Sequence, residues 1–320
     1  MRPRTPAVLA VSHARDLHTR HVLDLLRRQR VPALRLDTGA FPGRLRLAAA
    51  LDADGWRARL SGGGAGPLDP AALRGVWYRR PRPYAVAAGA PRARWAAAFC
   101  ACHAAAQALW ASCRSARWVN APSLQDSEDA KPAQLALAAR LGLAVPRSLV
   151  TNDAAAARAF IAERPEGETI HKNVTSAPSL WRPTALARAD DTRLLASLRE
   201  LPLLFQERVP AVAEVRVTLV GGEAFAAEIA YPRGRPALDW RVDFRRARLR
   251  AVSLPSRLEA RLHRLIQALG LCYGAIDLRR RPDGEHVFLE VNPSGEWLFV
   301  ERATGLPITA ALAALLARGG

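Results

Sequence analysis

Lysine is nearly missing from this sequence: against 45 arginines it has only Lys131 and Lys172. A chain whose cations have drifted to arginine keeps lysine where a planar guanidinium cannot replace a compact ammonium. Both lysines are therefore candidate ligand contacts. Glutamate is absent from residues 1–120, which hold 20 Arg and 6 Asp for a net +14, while residues 121–320 carry only +4. Aromatics make up 6% of the chain and do not interleave with the basic residues. The pI near 11.3 therefore lacks the stacking platform that a nucleic-acid binder needs, and no motif of that class is present. No apolar run approaches the roughly 20 residues of a membrane span. The opening run is cut off by His13 and Arg15 without a small-residue cleavage site, so it reads as the first strand of a cytoplasmic protein. Four cysteines in 320 residues do not make a disulfide framework, and "CACH" at 100–103 lacks paired CxxC spacing. Small apolar packing is the better reading of those cysteines. No HExxH, Ser/His/Asp or Cys/His pattern is present.

What is there is globular. Half the residues are hydrophobic, enough for two or three compact units. Residues 7–12 and 31–36 are short apolar runs separated by a helical pattern, the opening of an α/β domain. "RLRLAAALD" and "WRARLSGGG" read as a hairpin, "GVWYRRP" as a further strand, and residues 91–116 as an Ala-rich helix. "SGGGAG" at 61–66 lacks the GK[ST] ending of a phosphate loop and reads as a flexible loop. Beyond a boundary near 120, helices and strands alternate, with Lys131 in a helix and Lys172 on a strand.

The chemistry concentrates in "CYGAIDLRRRPDGEHVFLEVNPSG". Asp283-Gly284 marks a turn, and an even loop centred there sets Asp277 directly across from Glu290. Asn292 lies two residues on, on the same face as Glu290. An Asp, a Glu and an Asn together make an all-oxygen site suited to Mg²⁺, and two facing carboxylates repel without a cation.

"VWYRRP", "WVNAPS", "FQERV…EVRVTLVGG", "DWRVD", "GAIDLR" and "LEVNPSGEWLFVERATGLPI", taken in order with the two lysines, resemble the ATP-grasp ligases. More closely, they resemble the ATP-grasp peptide maturases that make microviridin-type crosslinked peptides, the graspetides. The resemblance spans nearly the whole chain. It implies an α/β (α+β) protein: an N-terminal α/β pre-ATP-grasp domain over 1–120, a central ATP-grasp lid subdomain over 121–203 and a catalytic subdomain over 204–320. It implies ATP and Mg²⁺ as cofactors. Lys131 and Lys172 would contact phosphates, while Gln206, Glu207, Arg208 and Val209 would run past the adenine edge. Glu214 would bond the ribose, and Asp277, Glu290 and Asn292 would hold Mg²⁺. Arg216 and Arg241, with Lys172, would serve catalysis. The segment after Lys172 departs from the Gly-rich phosphate loop of many ATP-grasp proteins, leaving Thr175, Ser176 and Ser179 as donors.

The implied reaction activates Asp or Glu side chains of a precursor peptide as acyl phosphates, which hydroxyls or amines then capture as esters or amides. Such a peptide is acidic, and the +14 of residues 1–120 would attract it, with Arg79 and Arg80 as its contacts. No membrane partner is expected, and a homodimer is left open. Two rivals share parts of this pattern: an ATP-grasp ligase acting on free amino acids or small metabolites, and a basic nucleic-acid-binding protein.

Overall fold

The computed structural model describes residues 7–62, 65–86, 91–124, 131–175, 183–231, 238 and 247–319. Contacts divide the chain into two units: Met1–Pro122 with Pro307–Gly320, and Ser123–Leu306.

In the first unit β1 (Val8–Val11) is buried along its whole length, as the unbroken run VLAV requires of a central parallel strand. Helix α1 (Leu17–Arg28) follows, capped by the Asp16 carboxylate, which accepts from the His18 N–H at 3.2 Å. Strand β2 (Ala33–Leu36) leads into the anticipated antiparallel hairpin of β3 (Leu45–Asp52) and β4 (Gly55–Gly62), to which β5 (Ala65–Leu68) adds a third strand. Gly63 and Gly64 lie outside the described residues. Strand β6 (Gly75–Tyr78), the Ala-rich α2 (Arg92–Ala111) and β7 (Arg117–Val119) complete the first pass. The parallel sheet runs β2-β1-β6-β7, so its order reverses between β1 and β6. A crevice at strand ends is expected at such a point. The cysteines are all free. Cys102 and Cys113 are buried as expected, whereas Cys100 is exposed.

The second unit starts at α3 (Lys131–Arg140). Then come β8 (Ser148–Thr151), α4 (Ala154–Ala162), β9 (Thr169–Asn173), β10 (Ala185–Leu186), α5 (Thr192–Ser197) and β11 (Leu203–Glu207). Four of these strands form an antiparallel sheet in the order β10-β9-β11-β8. A break at 203/204 would cut β11 away from β8 and β9, to which Leu203–Glu207 pairs; this sheet extends to Glu207. The remaining elements are β12 (Ala213–Val220), β13 (Glu223–Ala230), β14 (Arg248–Ala251), α6 (Ser256–Ala268), β15 (Tyr273–Arg280), β16 (His286–Asn292) and α7 (Leu298–Thr304). Their antiparallel sheet runs β14-β13-β12-β15-β16. One core packs that sheet against α3 and α6 through Leu135, Ala138, Val217, Leu262, Ile266 and Ile276.

The last helix, α8 (Ile308–Arg318), belongs to the first unit, although the sequence reading grouped it with residues 204–320. Ile308, Leu312, Ala313 and Leu316 are fully buried, and α8 packs on α1 and β6. An apolar helix buries its stripe wherever a complementary face exists, whatever its neighbours in sequence.

Candidate nucleotide and metal site

Asp277 on β15 and Glu290 on β16 are paired residues, as the hairpin reading required, but the route to that pairing differs. The turn is a three-residue loop instead of an even one: the Arg281 N–H donates to the Glu285 carbonyl at 2.8 Å, and Gly284 takes φ of 91° inside it. Next to the turn the pairs are therefore Arg280 with His286 and Leu278 with Phe288. A β-bulge between Asp277 and Leu278 then leaves Leu289 as an extra residue and restores the carboxylate pair. Two offsets cancel.

Each carboxylate already faces a cationic side chain. Arg216 on β12 stands in register with Asp277, and its Nη1 donates to Asp277 Oδ1 at 2.6 Å. Lys131 Nζ lies 3.5 Å from Glu290 Oε2. Contrary to the expectation from the sequence, the facing carboxylates do not need a metal to offset their repulsion, because Arg216 and Lys131 supply the charge. Burial alone would lower the Arg216 pKa; the charge and hydrogen bond of Asp277, with the charge of Glu290, outweigh it and raise the pKa above its usual value. Arg216 Nη2 also donates to the Glu296 carbonyl at 3.2 Å, tying the sheet to the segment after β16. In that segment the Ser294 N–H donates to Asn292 Oδ1, and the Tyr273 hydroxyl donates to the Gly295 carbonyl. A Cβ at Gly295 would collide with that of Ala275, so only glycine passes there. Among the described residues no group of three or more His, Cys, Asp or Glu could hold a metal ion. The candidate donors remain two carboxylates and one amide oxygen.

Residues 7–126 match the family model described as the MvdD pre-ATP grasp domain. The macrocyclase MdnC of Microcystis aeruginosa MRC, bound with precursor peptide MdnA, is 29% identical, covering 97% of this chain and 98% of its own at a TM-score of 0.83. Macrocyclase MdnB of the same organism is 29% identical, covering 98% and 99% at 0.82. The ATP-grasp ligase PsnB, complexed with a phosphomimetic variant of minimal precursor, Mg and ADP, is 25% identical, covering 97% of each chain at 0.77. No curated protein matches the sequence. This chain is similar along its whole length to ATP-grasp ligases.

Lys172 stands on β9 opposite Leu204 of β11, on the four-stranded sheet and not on the sheet of the carboxylates. The Gln206 side chain is buried and donates to Ser148 Oγ at 2.8 Å. The backbone N–H groups of Glu207 and Arg208 are taken by the carbonyls of Arg147 and Glu168. The Val209 carbonyl accepts from Arg279 Nη1 at 3.3 Å, and Arg279 Nη2 donates to Glu214 at 2.8 Å. The carboxylate expected at the ribose is thus held by an arginine that the sequence reading passed over. A signal was available: Glu214 and Arg216 on one strand meet Arg279 and Asp277 on the other as two reversed ion pairs. Arg241, Ser176 and Ser179 lie outside the described residues; Thr175 lies within them.

Arg79 and Arg80, at the end of β6, separate. Arg80 is exposed, while Arg79 is 1% exposed, with its Nε 3.6 Å from Asp16 Oδ2. Asp16 also accepts from Ser12 and Thr19 hydroxyls at 2.9 and 2.6 Å. Burial pulls the Asp16 pKa up, but these bonds, the one from His18 and the Arg79 charge hold it well below the carboxylate range.

Proposed function

We propose that this chain is an ATP-grasp ligase that uses ATP and Mg²⁺ to activate Asp and Glu side chains of an acidic ribosomal precursor peptide, and closes them as ester or amide crosslinks. The observation that carries this reading is the face on which Lys131, Arg216, Asp277 and Glu290 are charge-paired, in a chain similar over its whole length to peptide macrocyclases. The reading places the enzyme in the cytoplasm, and no helix among the described residues is long and apolar enough to cross a membrane.

The donor set fits a hard divalent cation: Asp277 and Glu290 are paired across one hairpin, with Asn292 on the same strand as Glu290. Mg²⁺ there would supply a Lewis acid for phosphate oxygens. Lys131 is the cation able to change partner, since its 3.5 Å contact with Glu290 is looser than the 2.6 Å bond between Arg216 and Asp277. Lys131 and Lys172 would then bind phosphates. Gln206 to Val209 would line the adenine, and Glu214, oriented by Arg279, would meet the ribose. Arg216 and Arg241 would balance charge on the transferred phosphoryl group. In this scheme the four-stranded sheet bearing Lys172 acts as the lid, and the five-stranded sheet forms the catalytic floor.

A peptide carboxylate attacks the γ-phosphorus and ADP leaves; a hydroxyl or amine then attacks the acyl carbon and phosphate leaves with the carboxyl oxygen. Incubated with ATP, Mg²⁺ and an acidic precursor peptide, the ligase should yield ADP, phosphate and a peptide lighter by one water per bond, read by mass spectrometry. A peptide heavier by an added amino acid would instead establish ligation of free amino acids.

A further inference from the structure

Gln134 sits one turn after Lys131 on α3 and is 1% exposed. Its carboxamide bonds both backbone groups of a single residue of β16: Nε2 donates to the Val291 carbonyl at 3.0 Å, and Oε1 accepts from the Val291 N–H at 2.8 Å. A residue on the edge of a sheet presents its N–H and C=O to the same side, so one carboxamide can complete both bonds as a neighbouring strand would. Val291 lies between Glu290 and Asn292, and its own side chain is buried in the core. Residues three apart share a helix face. The face of α3 that holds Val291 through Gln134 is therefore the face from which Lys131 meets Glu290 at 3.5 Å.

We infer that Gln134 is a positioning residue of the nucleotide site: by pinning α3 to the Val291 peptide unit it sets Lys131 against Glu290 and holds the backbone between Glu290 and Asn292. This rests on the nucleotide-site reading above. A hydrophobic contact would hold the helix near the strand but would let it slide, because apolar packing is not directional. Two hydrogen bonds to one residue fix the register of helix on strand.

The two-lysine composition provides a nucleotide-free test. With the full-length chain, trace acetylation followed by mass spectrometry gives the labelling of Lys131 relative to Lys172, which serves as internal reference. Gln134→Met keeps the length of the side chain and removes both hydrogen bonds; Gln134→Glu keeps the acceptor for the Val291 N–H and loses the donor. Relative labelling of Lys131 should rise at least threefold in Gln134→Met, and by less in Gln134→Glu. The Kd for Mg·ATP, by calorimetry, should rise about tenfold in Gln134→Met. In a Lys131→Met background the same substitution should change it by less than twofold, because the two residues act through one contact. An unchanged labelling ratio in both variants, or a full tenfold loss again in the Lys131→Met background, would overturn the inference. A wild-type chain that does not bind Mg·ATP would overturn the nucleotide reading instead, and the labelling ratio would still decide the positioning role. Should Gln134→Met fail to fold, the same two measurements on Gln134→Glu decide it.

Discussion

Asp277 and Glu290 face each other across one hairpin but should respond differently to substitution. Glu290 is paired to a lysine at 3.5 Å, so Glu290→Gln, like Asn292→Ala, should lower Mg²⁺-dependent turnover at least about 100-fold while leaving the melting temperature within a few degrees. Asp277 balances a guanidinium with only 6% side-chain exposure, so Asp277→Ala should also destabilise the fold, by about 3–5 kcal/mol, through the charge left behind. Thermal melts run beside the turnover assay separate the two cases; equal melting temperatures in all three variants would refute the distinction. The lysines give a second residue-scale test. Lys131→Arg and Lys172→Arg should each raise the KM for ATP about tenfold, the loss of one charged hydrogen bond of roughly 1.5 kcal/mol. Normal ATP use by both would refute the argument from lysine scarcity.

At the scale of elements, the turn from β1 into α1 depends on one carboxylate. Asp16 caps the helix, accepts from Ser12 and Thr19, and faces the buried Arg79. Its folded pKa lies below the unfolded value of about 3.9, so the stability it adds is complete above that pH. That stability is lost as pH falls below about 4 toward the folded pKa. Asp16→Asn should cost about 3–5 kcal/mol at neutral pH, because Arg79 is left buried without its counter-charge. It should also flatten the acid limb of the stability profile. Urea midpoints measured from neutral pH down to about pH 2 check both effects, and a variant curve parallel to wild type would refute the assignment.

Across the whole molecule, the +14 of residues 1–120 should act on association more than on chemistry. Peptide KM should rise with ionic strength as the Debye length shrinks to roughly 3 Å at molar salt, while KM for ATP changes little. Of the two arginines ending β6, only Arg80 can test this without disturbing the fold, since Arg79 is buried against Asp16. Arg80→Glu should raise peptide KM several-fold at low salt and make little difference at high salt. A peptide KM insensitive to both would mean that the arginines only solvate the unit.

By itself the sequence determined what local pattern can carry. The strand–helix–strand opening, the β3–β4 hairpin and the facing of Asp277 and Glu290 were all legible, because side-chain period and turn residues are short-range properties. Even there the pairing survived only because a bulge offset a misjudged loop, and a bulge leaves no mark in a two-residue period. The tertiary structure alone decided the charge balance of the site. Arg216 reaches Asp277 across 61 residues, and Gln134 holds Val291 across 157. It also decided that Arg79 turns inward while Arg80 faces solvent, and that α8 leaves the segment before it to close the first unit. Each of these depends on which surfaces meet after the intervening chain has folded. Burial and partner charge are properties of that meeting, and no window of sequence contains them.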